Sequence, residues 1–156
     1  MRPLKPAVIK VWTINYVFGA VLLLIGTVTF DVIQLLRGDH ALLPAGLTTV
    51  VVLLASIGLC VFIPRWKYRY WRFNLDTEEL YLERGIFNRV RTIVPLRRIQ
   101  HLDVSQNLLE REFDLGKLIV HTAGSESSSV VLPGLDYAEA EQLRDSIKHY
   151  IVEDAV

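Results

Sequence analysis

Two uncharged apolar segments near the start of the chain constrain its fold more than any other feature. No charged side chain occurs in residues 11–30 or in residues 41–63. Segments of about 20 apolar residues match the hydrocarbon thickness of a bilayer at about 1.5 Å of rise per helical residue. A chain of 156 residues has too little protein to cover two such helices in a soluble core. The sequence therefore predicts a transmembrane hairpin over residues 1–64, with spans at about 11–36 and 41–63.

The charges that flank these segments indicate how the hairpin is oriented. Three Lys/Arg residues precede the first span, one lies in the connection and four follow the second span; in that order they are Arg2, Lys5 and Lys10, then Arg37, then Arg65, Lys67, Arg69 and Arg72. Segments rich in Lys and Arg next to membrane spans stay in the cytoplasm. Both flanks of the hairpin, and therefore both termini, are predicted to be cytoplasmic, with the connection between the spans outside. We read the first segment as a retained span and not a cleaved signal peptide, because its apolar run is too long and a second span follows it.

After residue 65 the pattern changes to short strands followed by one helix. Residues 99–106 alternate strictly between apolar and polar side chains, and residues 118–122 and 130–132 are two further strands. Apolar residues at helical spacing then predict a C-terminal helix with Asp136 as its expected N-cap. The sequence therefore predicts a cytoplasmic domain over residues 65–156, an all-β barrel or sandwich capped by one α-helix.

A family resemblance is carried by three stretches of the predicted domain, residues 94–107, 109–111 and 119–124. Together with the Leu-Pro-Gly-Leu run at 132–135 they closely resemble the bacterial pleckstrin-homology-like family called YdbS-like. Asn107 departs from the pattern, since relatives often have Gly there, but Asn also tolerates the backbone of a tight turn. The resemblance implies about seven antiparallel strands capped by a terminal helix, preceded by two spans in a bacterial inner membrane. It brings no settled biochemical activity, and fold alone does not supply one.

Three polar residues on one strand, His101, Asp103 and Ser105, invite comparison with a catalytic triad. Their spacing places them on one strand face about 7 Å apart at each step, whereas a nucleophile and its base must approach to roughly 3 Å. We therefore expect a solvated strand face and no enzyme. The four histidines, His40, His101, His121 and His149, have no cysteine partner or short ligand spacing, although His101 and His121 could face each other across strands. No metal site, cofactor or small-molecule substrate is predicted.

Charge divides the predicted domain into two halves. Residues 65–98 contain nine Lys/Arg against four Asp/Glu, whereas residues 99–156 contain four against eleven. The candidates for contact with the membrane interface or lipid are Arg65, Trp66, Lys67, Arg69, Trp71 and Arg72. The candidates for docking headgroups or an acidic partner are Arg89, Arg91, Arg97 and Arg98. Two alternatives stay open. In one, the first group only fixes the topology of the hairpin; in the other, Arg97 and Arg98 pair with the acidic half of the same domain.

These patterns favour a membrane-anchored binding or assembly module without catalytic activity. Its expected partners are membrane lipids, protein segments, copies of itself or related PH-like membrane proteins. The alternative is anionic-lipid headgroup sensing by the basic face, although the acidic turn at residues 76–79 argues against phosphate recognition there. Nucleic acid is not expected, because the net charge is zero and the acidic half would repel it. Transport is the least favoured class, since the uncharged segments lack the ionisable groups that mark a pathway.

Overall fold

The computed structural model describes residues 2–37, 46–123 and 129–153. Four helices and seven strands occur in these residues, in the order β1 (Arg2–Pro3), α1 (Val8–Arg37), α2 (Leu47–Tyr70), β2 (Arg72–Leu75), β3 (Glu79–Arg84), β4 (Val90–Pro95), β5 (Ile99–Ser105), α3 (Leu108–Glu112), β6 (Leu115–Thr122), β7 (Ser129–Asp136) and α4 (Tyr137–Glu153). A short 3₁₀ turn, Leu96–Arg98, joins β4 to β5. The chain forms two compact units, of which the first comprises Met1–Val11 and Trp66–Val156 and the second comprises Trp12–Arg65.

The unit Trp12–Arg65 consists of the two long apolar helices. Both are long and apolar enough to cross a membrane, and most of their large side chains are exposed, as expected for residues that face lipid. The two helices are joined by the carboxylate of Asp31, which accepts hydrogen bonds from the hydroxyl groups of Thr48 and Thr49. The predicted first span agrees with α1. The start predicted for the second span, residues 41–45, lies outside the described residues.

Helix α2 continues beyond the residue at which the sequence predicted the span to end. It passes through Pro64 and ends at Tyr70. Pro64 is buried and lacks the N–H that a helix interior uses, so one backbone hydrogen bond is missing at this point. Only Trp71 separates α2 from the first residue of β2.

The other unit contains two antiparallel sheets packed around one core. Sheet A has the order β1-β2-β3-β4, and sheet B has the order β5-β6-β7. Pro95 ends β4, and the 3₁₀ turn then leads the chain into the second sheet. The strands therefore form a sandwich. Of the two arrangements that the sequence allowed, a barrel and a sandwich, the closed barrel is not the one observed. Inward-facing residues of both sheets are fully buried together with residues of α4; they include Leu80, Leu82, Leu118, Val120, Leu132, Ala140 and Ile147.

The N-terminal segment differs from the sequence expectation, which placed residues 1–64 in the hairpin and began the domain at residue 65. Strand β1 pairs with β2, and Leu4, Val8 and Val11 are buried in the sandwich. The backbone N–H of Lys5 donates to the carbonyl of Gly134 at 2.9 Å. Residues up to Val11 therefore complete the β domain, and the helical hairpin is inserted between its first two strands.

Asp136 lies directly before the terminal helix, at the position that the sequence predicted for its N-cap. It is the last residue of β7, and its carboxylate lies 2.5 Å from the ammonium group of Lys5. This hydrogen bond and charge raise the pKa of Lys5 above its ordinary value. Helix α4 begins at Tyr137, whose N–H donates to the carbonyl of Asp114 at 3.0 Å.

Substitution of Leu4 tests whether the N-terminal segment belongs to the core. Leu4 is only 2% exposed, so Leu4→Ala should lower the free energy of unfolding by about 2–5 kcal/mol through lost burial and a residual cavity. The measurement is chemical unfolding of the full-length protein in detergent, followed by tryptophan fluorescence.

Arg2→Ala provides the matched control, because Arg2 is an exposed residue of the same segment. It should leave stability nearly unchanged. An equal effect of the two substitutions would show that the segment does not contribute to the core.

Candidate functional site

The hairpin formed by β3 and β4 brings two of the predicted docking residues together. Glu83 lies opposite Arg72 on β2 and opposite Arg91 on β4. Its carboxylate is 3.4 Å from Nε of Arg89 and 3.5 Å from Nε of Arg91. The Glu83 side chain is 17% exposed, whereas those of Arg89 and Arg91 are 62% and 70% exposed. One carboxylate therefore orients two arginines that remain available to a ligand.

The other two docking candidates, Arg97 and Arg98, lie on the 3₁₀ turn between the sheets. Both are exposed. The carbonyl of Arg98 accepts a hydrogen bond from the N–H of Ala123 at 2.8 Å, which ties this turn to the end of β6. The four arginines thus occupy two different elements and do not make up one cluster around Glu83.

The residues proposed for the membrane interface occupy the end of α2 and the start of β2. Trp66 and Arg69 are exposed and Lys67 is half-buried, while the guanidinium of Arg65 donates to the carbonyl of Val61 at 2.7 Å. Arg72 is half-buried on β2.

Trp71 does not fit the interface role that the sequence suggested. It is 7% exposed and belongs to the core. The reason is the strand alternation that begins at this residue, because it points Trp71 and Phe73 inward and Arg72 outward.

A groove of about 480 Å³ lies between β5 and the C-terminal helix. One wall is formed by residues 99–102 of β5, and the other by side chains of α4, namely Arg144, Asp145, Lys148 and Ile151. Within the described sheet, β5 is an edge strand that pairs only with β6. The groove thus combines apolar side chains, charged side chains and the unpaired edge of a strand.

Two charged groups of this groove hold each other in place. Nε of Arg144 donates to Oδ1 of Asp145 at 2.9 Å. This hydrogen bond lowers the pKa of the Asp145 carboxyl and raises the pKa of Arg144. Lys148, one turn further along the same helix, is exposed and adds a positive charge to the wall. Sequence reasoning missed this groove, although the spacing of Arg144 and Lys148 on the polar face of α4 was a usable signal.

The polar residues of β5 make contacts that the spacing argument did not predict. Nε2 of His101 lies 2.8 Å from Oδ1 of Asp103, and Nε2 of His121 lies 3.1 Å from Oδ2 of the same carboxylate. His101 and His121 are cross-strand partners, as expected, with ring centroids 5.8 Å apart. The expectation that His101 and Asp103 stay too far apart was wrong, because a backbone repeat of about 7 Å does not limit the reach of the side-chain tips.

The observed contacts of this cluster do not build a nucleophile and base. Ser105 lies at the far end of β5, opposite Lys117 on β6. Among the described residues, which do not include His40, no group of three His, Cys, Asp or Glu side chains has the arrangement of a metal site.

The turn between β2 and β3 is acidic, as the sequence predicted. The Asp76 carboxylate accepts the N–H of Thr77 at 2.8 Å, and the Tyr81 hydroxyl donates to Glu79 at 2.5 Å. The hydrogen bond to Glu79 raises the pKa of Tyr81 above its ordinary value. The antiparallel register places this turn at one end of sheet A and the β3–β4 loop at the opposite end.

Comparison with known proteins identifies similar chains. The model of the family described as "Bacterial PH domain" matches residues 13–151. The UPF0699 transmembrane protein YdbS of Bacillus subtilis (strain 168) is 32% identical over 145 residues, which cover 92% of this chain and 88% of that protein. The UPF0699 transmembrane protein YdbT of the same organism is 28% identical over 82 residues, or 52% of this chain and 17% of that protein. No solved structure matches the chain significantly.

Proposed function

Because the chain belongs to the bacterial PH domain family and carries two transmembrane helices, we propose that it is a membrane-anchored binding module that recruits an extended segment of a partner protein. The segment lies in the groove between β5 and α4. The observation that carries this proposal is that β5, which forms one wall of the groove, is an edge strand within the described sheet. The module acts by binding, without catalysis.

An edge strand beside a helix offers two kinds of recognition to an extended segment. The backbone groups on the open edge of β5 can pair with the segment as an added strand, which supplies affinity. Alternate side chains of the added strand would then face the wall formed by α4, which supplies specificity because side chains alternate along a strand. Apolar contact is available from Ile99, Leu102 and Ile151.

The charges of the groove favour a segment with an acidic side chain. Arg144 is neutralised locally by Asp145, which leaves Lys148 as the exposed cation of the wall. A carboxylate on the partner would complement Lys148 and fix the register of the added strand. The partner is a protein of the same membrane, either a second copy of this chain or a related PH-like membrane protein.

Photo-crosslinking from β5 tests this function. A benzoylphenylalanine placed at Gln100, which is exposed and lines the groove, should yield a discrete adduct in native membranes. Lys148→Glu should reduce the adduct roughly tenfold, because a like charge then faces the acidic segment. Mass spectrometry of the adduct would separate a second copy of this chain from a related protein.

Two controls match this experiment. Arg111→Glu makes the same charge reversal at an exposed residue of α3, outside the groove, and should leave the adduct unchanged. The same probe at Thr77, in the acidic turn, should give no such adduct. Equal yields from Gln100 and Thr77, or an adduct that survives Lys148→Glu undiminished, would contradict the proposal.

The proposed orientation places both termini in the cytoplasm, at the inner face of a bacterial inner membrane. Two observations support it. Lys and Arg are concentrated before the first span and after the second. Independently, residues up to Val11 fold together with residues from Trp66 onward, so both sides of the hairpin belong on the same side of the membrane.

Paired reporter fusions test the orientation. A green fluorescent protein fused after Val156 should fluoresce, and alkaline phosphatase fused at the same place should be inactive, because the former folds only in the cytoplasm and the latter only outside it. Inserted in the connection between the spans, the phosphatase should be active. The reverse pattern would place the domain outside.

Contact with anionic lipid headgroups is the second candidate function. It is favoured by the exposure of Arg89 and Arg91 and by the further cations that lead into the domain, namely Arg65, Lys67, Arg69 and Arg72. Basic residues near an anionic leaflet gain about 1 kcal/mol each. Arg97 and Arg98 are further exposed cations, on a different element.

Energy transfer in nanodiscs tests headgroup contact with the full-length protein. Transfer from the native tryptophans to dansyl-phosphatidylglycerol should exceed transfer to dansyl-phosphatidylcholine, and the excess should fall as salt screens the charges. The double substitution Arg89→Gln and Arg91→Gln should reduce the excess by roughly a third, because it removes two of the six cations assigned to this contact. The β5 crosslink should survive this change, and an absence of any lipid preference at low salt would remove this candidate.

A further inference from the structure

The loop between β3 and β4 exposes an aromatic side chain almost completely. Phe87 is 96% exposed, the highest value among the large apolar side chains that the structure describes. The loop is formed by residues 85–89, and its neighbours in sequence are Arg84 and Val90 at the paired ends of the two strands. A phenylalanine gains stability wherever it is removed from water, so this exposed ring offers an apolar contact to a surface outside the domain.

The conformation of the loop explains how Phe87 is presented. Gly85 has a φ of +115°, which side chains other than glycine rarely adopt. A Cβ at this position would lie 1.9 Å from the carbonyl oxygen of Asn88. The backbone therefore folds tightly back on itself at Gly85, and the tip is a defined turn that points its aromatic ring outward.

Arginines surround the base of this tip. Arg84, Arg89 and Arg91 are exposed, whereas Glu83, the acidic residue among them, is mostly buried and already paired. Three arginines against one glutamate leave a local charge of +2. An apolar tip with a basic collar is the arrangement of segments that lie in the interface of an anionic bilayer.

The register of sheet A places this tip at the end where the chain arrives from α2. Arg72, the first residue of β2, lies opposite Glu83, next to the loop. The acidic turn at residues 76–78 lies at the other end of the sheet. Sheet A thus has one basic, aromatic end and one acidic end, and the chain enters the domain at the basic end.

We propose that the β3–β4 loop inserts Phe87 into the interfacial region of the anionic bilayer while the surrounding arginines bind lipid phosphates. A single ring with a cationic collar fits a lipid surface better than a protein surface, because a stable protein interface needs roughly 800 Å² on each partner. The proposal rests on the second candidate function for its choice of anionic lipid. The proposal goes beyond that function, because attraction between arginines and headgroups does not by itself require the Phe87 ring to enter the bilayer.

A fluorescent probe next to Phe87 tests the insertion in the full-length protein. The native cysteine is replaced by Cys60→Ser, and Asn88→Cys is labelled with the environment-sensitive dye NBD. In nanodiscs with about 30% phosphatidylglycerol, the emission should shift to the blue and iodide quenching should fall at least about threefold relative to pure phosphatidylcholine, since the dye leaves water with the tip.

Matched variants separate the contributions of the ring and of the charges. Phe87→Ala should restore quenching to the value in phosphatidylcholine, and Phe87→Trp should retain the protection. The same dye at Thr77→Cys, in the acidic turn of the same sheet, should remain fully quenched in both lipids. Because Phe87 and Thr77 are exposed loop residues, these variants should fold normally.

Each contrary outcome has a definite meaning. Protection that persists in Phe87→Ala would show that charge alone holds the loop near the lipid, which overturns the insertion and leaves the second candidate function standing. Full quenching of the dye in every lipid, with the preference for dansyl-phosphatidylglycerol intact, would also overturn the insertion and leave the second candidate function standing. Protection in lipid-free detergent that grows with protein concentration would instead show that a second protein covers the loop.

Discussion

The β domain depends on packing of the N-terminal segment against its last strand. Val8 packs directly against Gly134: a Cβ added to Gly134 would lie only 2.7 Å from the side chain of Val8. Gly134 also has a φ of +68°. A side chain at this position would therefore meet both a clash and an unfavourable backbone conformation. The close approach lets Leu4, Val8 and Val11 reach the core. Because these residues precede the hairpin in sequence, the membrane helices are an insertion in the β domain, and a fragment beginning at Trp66 would lack part of its own core.

Much of this architecture could be predicted from local patterns. Uncharged segments predicted two spans, alternation predicted strands after residue 65, and the motif at residues 94–107 indicated the family that the comparisons confirm. The N-terminal segment escaped prediction because a strand of two residues has no measurable period, and because its three basic residues were interpreted only as topology signals. Trp71 was assigned to the interface by its position next to cations, although the alternation of Trp71, Arg72 and Phe73 was a local signal for its burial.

The candidate binding surfaces were likewise predicted only in part from the sequence. The sequence identified Arg89 and Arg91 as docking candidates, but the strand register was needed to show that Glu83 lies between them. Phe87 was not identified, because an aromatic residue next to strands is ordinarily part of a core, and only the tight turn at Gly85 reveals its exposure. The groove beside α4 likewise depends on the pairing order, which makes β5 an edge.

The two proposed ligands use different sheets of the sandwich. Lipid contact involves the basic end of sheet A, at the β3–β4 loop, whereas the protein segment pairs with β5 in sheet B. Their chemistries also differ, since one site needs phosphate and an apolar interface and the other needs backbone pairing and a carboxylate opposite Lys148. Occupation of one site therefore leaves the groups of the other free. A domain of this kind can hold a partner segment while remaining in contact with the bilayer, which is the property that an assembly module on a membrane surface requires.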